Sequence, residues 1–146
     1  MAEVRRVGSS FPDPKERCPA ILVVEDEVLI RLVIADYLRE CGFKVYEAGT
    51  AAEAVEVLES DQASIDLVFS DIRLPGAMNG FALAQWARTN RPGLPVILTS
   101  GDSKKSDAAK ELCENEPFFA KPYDVQRVVA EIRTIIEAKS RKREDD

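Results

Sequence analysis

Short apolar runs alternate with longer segments of helical periodicity along most of the chain. The clearest run, Ile21–Val24, holds four consecutive apolar residues with no polar alternation, which is typical of a strand covered on both faces. Four more strands are predicted, at 44–47, 67–70, 96–99 and 118–120. Strands that alternate with helices predict an α/β domain built on a parallel sheet.

Each predicted strand is followed by a segment whose apolar residues recur with helical spacing. These helices are predicted to begin near residues 28, 51, 81, 103 and 125. Gly42 is the expected stop of the first helix, and Thr50–Glu53 forms a capping box in which the hydroxyl and carboxylate can satisfy helix amides reciprocally. Five β-α units with short connections predict right-handed crossovers and helices on both faces of the sheet.

Three of the predicted strands end in charged residues. Glu25 and Asp26 follow the first strand, Asp71 follows the third, and Lys121 follows the fifth. In an open parallel sheet, ligands bind beyond the carboxyl ends of the strands. Because crowded carboxylates repel one another, a divalent cation is the expected reason for gathering them at one edge.

Composition limits the class of protein. The chain has 146 residues, which suits one domain, and we expect an arm at 1–19, a folded domain at 20–139 and a charged tail at 140–146. Its net charge of −6 argues against non-specific nucleic-acid binding. No apolar run approaches the ~20 residues needed to cross a bilayer, and no secretory signal is visible, so no membrane partner is expected.

The histidine and cysteine contents narrow the chemistry further. There is no histidine, which excludes Ser-His and Cys-His catalysis, His-ligated zinc and a role as a phosphohistidine carrier. The three cysteines form no CxxC pair, which indicates a reducing, cytoplasmic location.

Four motifs lie in order at the ends of strands one, three, four and five: Val23–Glu27, Asp71–Gly76, Leu98–Gly101 and Lys121-Pro122. Together they make the chain, over roughly residues 20–138, resemble the receiver domain of two-component response regulators, in a single-domain form. The resemblance implies a flavodoxin-like, doubly wound sheet with strand order 2-1-3-4-5. It also implies a regulatory phosphoacceptor rather than an enzyme, which turns over only its own phosphoryl group.

The resemblance further implies roles for single residues. Asp71 is the expected phosphoacceptor, and Glu25 and Asp26 are expected to hold Mg²⁺ (or Mn²⁺) together with Asp71 and the backbone carbonyl of Arg73. Lys121 is expected to meet the phosphoryl group.

Two more residues match the switch positions of the family. Ser100 matches the hydroxyl that would donate a hydrogen bond to the arriving phosphoryl oxygens, and Phe118 matches the aromatic that turns with it. The resemblance also suggests a cis peptide bond at Lys121-Pro122.

The chain departs from the family in the loop after Asp71. The stretch Pro75–Gly80 is one residue longer than the usual Pro-x-Met-Asp-Gly and has Asn79 where Asp is common. We also hypothesise that Arg73 and Asp102 pair over the site and hinder attacking water.

Three other functions remain to be weighed. A haloacid dehalogenase phosphatase needs a second Asp at the position of Arg73. A flavodoxin-like electron carrier would have its flavin phosphate repelled by Glu25 and Asp26. A receiver-shaped scaffold that is never phosphorylated is a further alternative, which the presence of every proposed site group disfavours.

The resemblance implies a sensor histidine kinase or a histidine phosphotransfer domain as the phosphodonor. Since no output domain follows in this sequence, we expect the output to be contact with a protein that the sequence does not identify. The first helix is more apolar than one stripe requires, at Val28–Ile30 and Leu32–Ile34. Its outer part either docks the phosphodonor or belongs to a deeply buried helix.

Overall fold

The computed structural model describes residues 18–101 and 118–145. Within these ranges the strands are β1 (Ala20–Val24), β2 (Lys44–Ala48), β3 (Leu67–Asp71), β4 (Val96–Ser100) and β5 (Phe118–Ala120). The helices in the same ranges are α1 (Val28–Glu40), α2 (Ala51–Glu59), α3 (Gly80–Asn90) and α4 (Val125–Asp145). The helix predicted near residue 103 and most of the predicted arm lie outside the described residues.

The strands form one parallel sheet in the order β2-β1-β3-β4-β5. Every residue of β1, β3 and β4 is buried, as expected for strands covered on both faces. The predicted strand order and doubly wound α/β architecture are therefore confirmed.

Helices cover both faces of this sheet. On one face α1 and α4 pack through Ile34, Leu38, Val128 and Ile132 against alternate residues of β1, β3 and β4. On the other face α2 and α3 pack through small side chains and leucines; those that are buried are Ala51, Ala54, Leu58, Leu83, Ala84 and Ala87. The two apolar layers fix the sheet, so its carboxyl edge is a rigid base for side chains.

At three of its strands, including β2, which ends at Ala48, the sheet continues one residue further than expected. β3 ends at Asp71 and β4 at Ser100, rather than at Ser70 and Thr99. Asp71 is paired in register with Thr99, and the Ile72 amide donates to the Thr99 carbonyl at 2.8 Å. The backbone of Asp71 is therefore held by the sheet and not by a loop.

Local signals in the sequence set several helix ends. The Thr50 hydroxyl accepts from the Glu53 amide at 3.0 Å, and Glu53 Oε1 accepts from the Gly49 amide at 2.8 Å. The carboxylate therefore bonds one residue earlier than in the predicted capping box. Gly42 follows α1 with a φ of 98°, a left-handed conformation that glycine adopts without steric cost.

Helix α4 continues to Asp145, through most of the segment predicted as a charged tail. No helix in the described part of the chain is both long and apolar enough to cross a bilayer.

Candidate functional site

Three carboxylates meet at the carboxyl edge of the sheet, as the sequence predicted. Glu25, Asp26 and Asp71 each offer an oxygen, and these oxygens lie within 4.8 Å of one another. Glu25 and Asp71 are buried, whereas Asp26 is exposed. Their strands, β1 and β3, are neighbours at the point where the strand order reverses, which is where ligands bind in such sheets.

Lys121 brings a positive charge into this cluster from the loop after β5. Its Nζ lies 2.8 Å from Glu25 Oε1 and 3.0 Å from Asp71 Oδ2. Its amide donates to the Ser100 carbonyl at 2.8 Å, and its peptide bond to Pro122 is cis, as predicted. One ammonium therefore bridges the carboxylates of two strands and offsets part of their repulsion.

The pKa values of these groups reflect that balance. Burial raises the pKa of Glu25 above its ordinary value, and the hydrogen bond from Lys121 opposes this only in part, since the charge of Asp71 also raises it. Burial lowers the pKa of Lys121, but its hydrogen bonds to Glu25 and Asp71 outweigh that effect, and its pKa is raised. Lys121 is therefore an ammonium at neutral pH.

Close packing against the start of α3 fixes the backbone at Asp71. Its Oδ1 accepts from the Arg73 amide at 3.1 Å, and the Gly80 amide donates to the Ile72 carbonyl at 2.8 Å. A Cβ atom at Gly80 would lie 2.3 Å from the Asp71 carbonyl oxygen and 2.7 Å from the Ile72 Cα. Helix α3 therefore begins directly against the backbone of Asp71, at a position where a side chain does not fit.

The loop that carries the acidic pair is held by its own contacts. The Glu25 amide donates to the Ala48 carbonyl at 3.0 Å, and Glu25 Oε2 accepts from the Glu27 amide at 3.2 Å. The Arg31 side chain donates to the Glu25 carbonyl at 2.9 Å. Sequence reasoning did not single out Arg31, although it is the one charged residue in the apolar stretch 28–34.

The two predicted switch residues lie on neighbouring strands. Ser100 ends β4 and is buried, and Phe118 begins β5 and is half-buried. Leu98 pairs with Phe118 and Ser100 pairs with Ala120, so Ser100 and Phe118 share one face of the sheet. Their switch roles stay predictions.

Arg73 lies just beyond the carboxyl end of β3, with its amide on the Asp71 carboxylate. The metal-ligand role of its carbonyl stays a prediction. Asp102, its proposed partner, lies outside the described residues, so that pairing also stays a prediction.

The cluster suits a small, hard cation. Mg²⁺ prefers oxygen ligands and retains several of its waters when bound to proteins. Glu25 and Asp71 offer carboxylate oxygens from a rigid sheet edge, and the exposed Asp26 leaves one side open to water. The residues present therefore fit Mg²⁺, and the same oxygens accept Mn²⁺.

Known proteins are similar to this chain in sequence and in fold. Residues 21–133 match the response regulator receiver domain family. A response regulator receiver protein from Sinorhizobium medicae is 27% identical, with a TM-score of 0.75 over 84% of this chain and 98% of that one. The receiver domain of the hybrid histidine kinase CckA is 32% identical, with a TM-score of 0.66 over 80% of this chain and 98% of that one.

Curated relatives are longer than the matched region. The C4-dicarboxylate transport transcriptional regulatory protein DctD of Rhizobium meliloti is 34% identical over 116 residues, which are 79% of this chain and 25% of that protein. The sensor kinase CckA of Brucella abortus is 28% identical over 118 residues, 80% of this chain and 12% of that protein. The family match covers most of the sequence, and the chain belongs to the response regulator receiver domain family.

Proposed function

We propose that the chain is a phosphorylation-activated switch of a two-component system, in which Asp71 accepts a phosphoryl group from a phosphohistidine donor. The observation that carries this proposal is the position of Asp71. Its Oδ2 lies 3.0 Å from Lys121 Nζ, inside the carboxylate cluster at the sheet edge. The proposed nucleophile, the carboxylates proposed to hold the cation and the Lys121 ammonium thus lie together.

The transfer exchanges one bond for another. A carboxylate oxygen of Asp71 forms a bond to phosphorus while the bond from phosphorus to the donor imidazole breaks, and the imidazole leaves with the electron pair and takes up a proton. Bound at Glu25, Asp26, Asp71 and the Arg73 carbonyl, Mg²⁺ would neutralise charge on the phosphoryl oxygens. Lys121 places its ammonium against the same oxygens.

The phosphoryl group then biases an equilibrium between two conformations. It adds charge and acceptor oxygens beside the end of β4. The Ser100 hydroxyl donates to those oxygens, and Phe118, on the same face of the sheet, moves with it. The domain thus regulates a partner protein through its surface, and its only chemistry is the gain and loss of its own phosphoryl group.

The start of α1 is the proposed docking surface for the donor. Four of its side chains form an exposed apolar patch, here called the α1 patch: Val28, Leu29, Leu32 and Val33. Leu29 is 78% exposed, so these residues do not belong to a deeply buried helix. Val28 follows Asp26 by two residues, so a domain seated on the patch has its phosphohistidine beside the cluster.

A sensor histidine kinase or a histidine phosphotransfer domain is the proposed donor for this surface. Such donors and the sparse, unpaired cysteines are consistent with a cytoplasmic location. The downstream target is a protein rather than nucleic acid, since the net charge is −6.

A small phosphodonor tests the proposal directly. With acetyl phosphate and Mg²⁺, the wild-type protein gains the mass of one phosphoryl group by intact mass spectrometry, and a chelator prevents the gain. Asp71→Asn gains nothing, whereas the exposed Asp61→Asn behaves as the wild type. A wild-type protein that gains no mass would favour the unphosphorylated scaffold, and a gain that survives in Asp71→Asn would place the phosphoryl group elsewhere.

A further inference from the structure

Arg31 connects the acidic loop to the edge of the sheet. Its Nη1 donates to the Glu25 carbonyl at 2.9 Å and its Nε lies 3.2 Å from Glu47 Oε1. The side chain is 19% exposed and that of Glu47 is 23% exposed. The planar guanidinium thus spans from α1 to a carboxylate on β2 and, with a second nitrogen, to the loop after β1.

The bonded carbonyl belongs to the peptide that joins Glu25 to Asp26. On the other side of Glu25, its amide is bonded to the Ala48 carbonyl. Rotation of the Glu25–Asp26 peptide would break the Arg31 bond and turn the Asp26 side chain relative to Glu25. Arg31 therefore restrains the geometry between two adjacent carboxylates of the cluster.

Glu47 also binds a second arginine, which provides an internal comparison. Arg39 Nη2 lies 3.1 Å from Glu47 Oε2 and donates to the Val45 carbonyl at 3.1 Å. Arg39 and Arg31 are on the same helix and share the same carboxylate. Only the Arg31 contacts, among those described for the two side chains, extend to the acidic loop.

Gly49 leaves room for this arrangement. A Cβ atom at Gly49 would lie 3.1 Å from Arg31 Nη1, which is the nitrogen bonded to the Glu25 carbonyl. A methyl group there would press on that nitrogen without removing any polar group.

We propose that Arg31 is a positioning residue for cation binding: it fixes the Glu25–Asp26 peptide so that both carboxylates face one Mg²⁺. The inference rests on the proposed function, because it concerns the same cluster. The polar groups that orient metal ligands typically change metal affinity by 10–100-fold when they are removed.

The direction in which the Mg²⁺ affinity changes when Arg31 is substituted distinguishes positioning from charge repulsion. A guanidinium close to the cluster repels a cation, so loss of its charge alone would strengthen Mg²⁺ binding. Loss of positioning weakens Mg²⁺ binding instead. Lysine keeps the charge but lacks the rigid fork that spans two acceptors, so Arg31→Lys isolates the positioning effect.

The experiment measures the Mg²⁺ dissociation constant of the full chain by isothermal titration calorimetry, with urea unfolding of each variant as a check on folding. We expect Arg31→Lys to weaken Mg²⁺ binding about tenfold. Arg39→Lys, the same substitution at the other partner of Glu47, should stay within about twofold of the wild type. Gly49→Ala, which displaces the Arg31 nitrogen, should weaken binding in the same direction as Arg31→Lys.

The outcomes are distinct. Wild-type-like binding by both Arg31→Lys and Gly49→Ala, or equal weakening in Arg39→Lys, would overturn the role of Arg31 while leaving the proposed function intact. If Arg31→Lys does not fold, Arg31→Gln decides: weaker Mg²⁺ binding supports positioning, and equal or tighter binding overturns it, because loss of the charge alone strengthens binding. A wild-type protein that binds no Mg²⁺ would overturn the proposed cation site, and this inference with it.

Discussion

The Lys121 ammonium lies 2.8 Å from Glu25 Oε1 and 3.0 Å from Asp71 Oδ2, and both carboxylates are buried. Burial lowers the pKa of Lys121, but the two hydrogen bonds outweigh it, so the pKa in the folded protein lies above the ordinary 10.5. Because the pKa is raised in the folded state, the ion pairs contribute fully to the free energy of unfolding below about pH 10.5. This contribution is lost as the pH rises through the raised pKa of the folded protein.

Lys121→Met removes the ion pairs at every pH. Near neutral pH the substitution should lower the free energy of unfolding by about 1.5–3 kcal/mol, because two buried carboxylates lose a charged donor. Above about pH 10.5 the difference from the wild type should narrow, because the wild-type ammonium also loses its proton.

Urea unfolding of both proteins in the absence of Mg²⁺, at several values between about pH 8 and about pH 11.5, measures this difference. Burial raises the pKa of Tyr123 and the charge of Lys121 lowers it, so Tyr123→Phe is introduced into both proteins to keep this titration out of the comparison. A difference that is constant over the whole range would contradict the assignment of the effect to Lys121.

The sequence located most of the cluster but not all of its supports. Glu25, Asp71 and Lys121 stand out because each follows an apolar strand, and parallel strands bring their carboxyl ends together. Arg31 escapes this reasoning because its partners are a backbone carbonyl and Glu47, 16 positions away in sequence. A contact to a backbone carbonyl cannot be recognised from the residue types in a sequence. The only indication here is that Arg31 is a single charged residue in the apolar start of a helix.

Helix α3 begins so close to β3 that its first residue has no room for a side chain. A Cβ atom at Gly80 would meet the Asp71 carbonyl oxygen at 2.3 Å. Alanine favours helix more than glycine does, so propensity alone predicts that Gly80→Ala stabilises the protein. The contacts are with backbone atoms, which cannot turn aside, so the steric effect dominates.

We expect Gly80→Ala to lower the free energy of unfolding by about 1–3 kcal/mol and to slow phosphorylation by acetyl phosphate, because α3 must move away from Asp71. Urea unfolding and intact mass spectrometry measure the two effects. Gly101→Ala is the control for unfolding alone, since its new methyl would lie 3.7 Å from Lys121 Cδ, an ordinary contact. Equal stability of Gly80→Ala and the wild type would show that the helix start shifts freely.

The elements themselves were largely predictable, and their ends less so. The five strands and the four described helices lie where the hydrophobic pattern placed them, because burial on both faces removes alternation from β1, β3 and β4. The ladder carries β3 on to Asp71 and β4 to Ser100. A polar residue at a strand end reads as the start of a loop, yet its backbone still pairs with the neighbouring strand.

At the level of the complete domain, alternating strands and helices predict a parallel sheet but are compatible with more than one strand order. The order β2-β1-β3-β4-β5 was expected from the resemblance of four motifs to the receiver family and not from periodicity. It places β1 beside β3, and so Glu25 beside Asp71. The site thus depends on a topological fact that no single element encodes.

The α1 patch is the surface on which a protein donor and a small donor should differ. It is exposed, it contains four apolar side chains, and it begins two residues after Asp26. Under the proposed function, acetyl phosphate has to reach only the cluster, whereas a protein donor also has to dock on the surface beside it. A charge within the patch would have to be desolvated in that complex, at a cost that a small donor never meets.

The kinase for this test is the one that phosphorylates the wild type fastest in a purified panel. Leu29→Asp should slow phosphoryl transfer from that kinase by about tenfold or more. Its phosphorylation by acetyl phosphate should stay unchanged, because the Leu29 side chain is 78% exposed and outside the cluster. Gln85→Asp, an exposed position of α3 on the opposite face, adds the same charge and should alter neither rate. If Leu29→Asp slows phosphorylation by the kinase and by acetyl phosphate equally, its effect is on the cluster. If it slows neither reaction, the kinase docks on another surface.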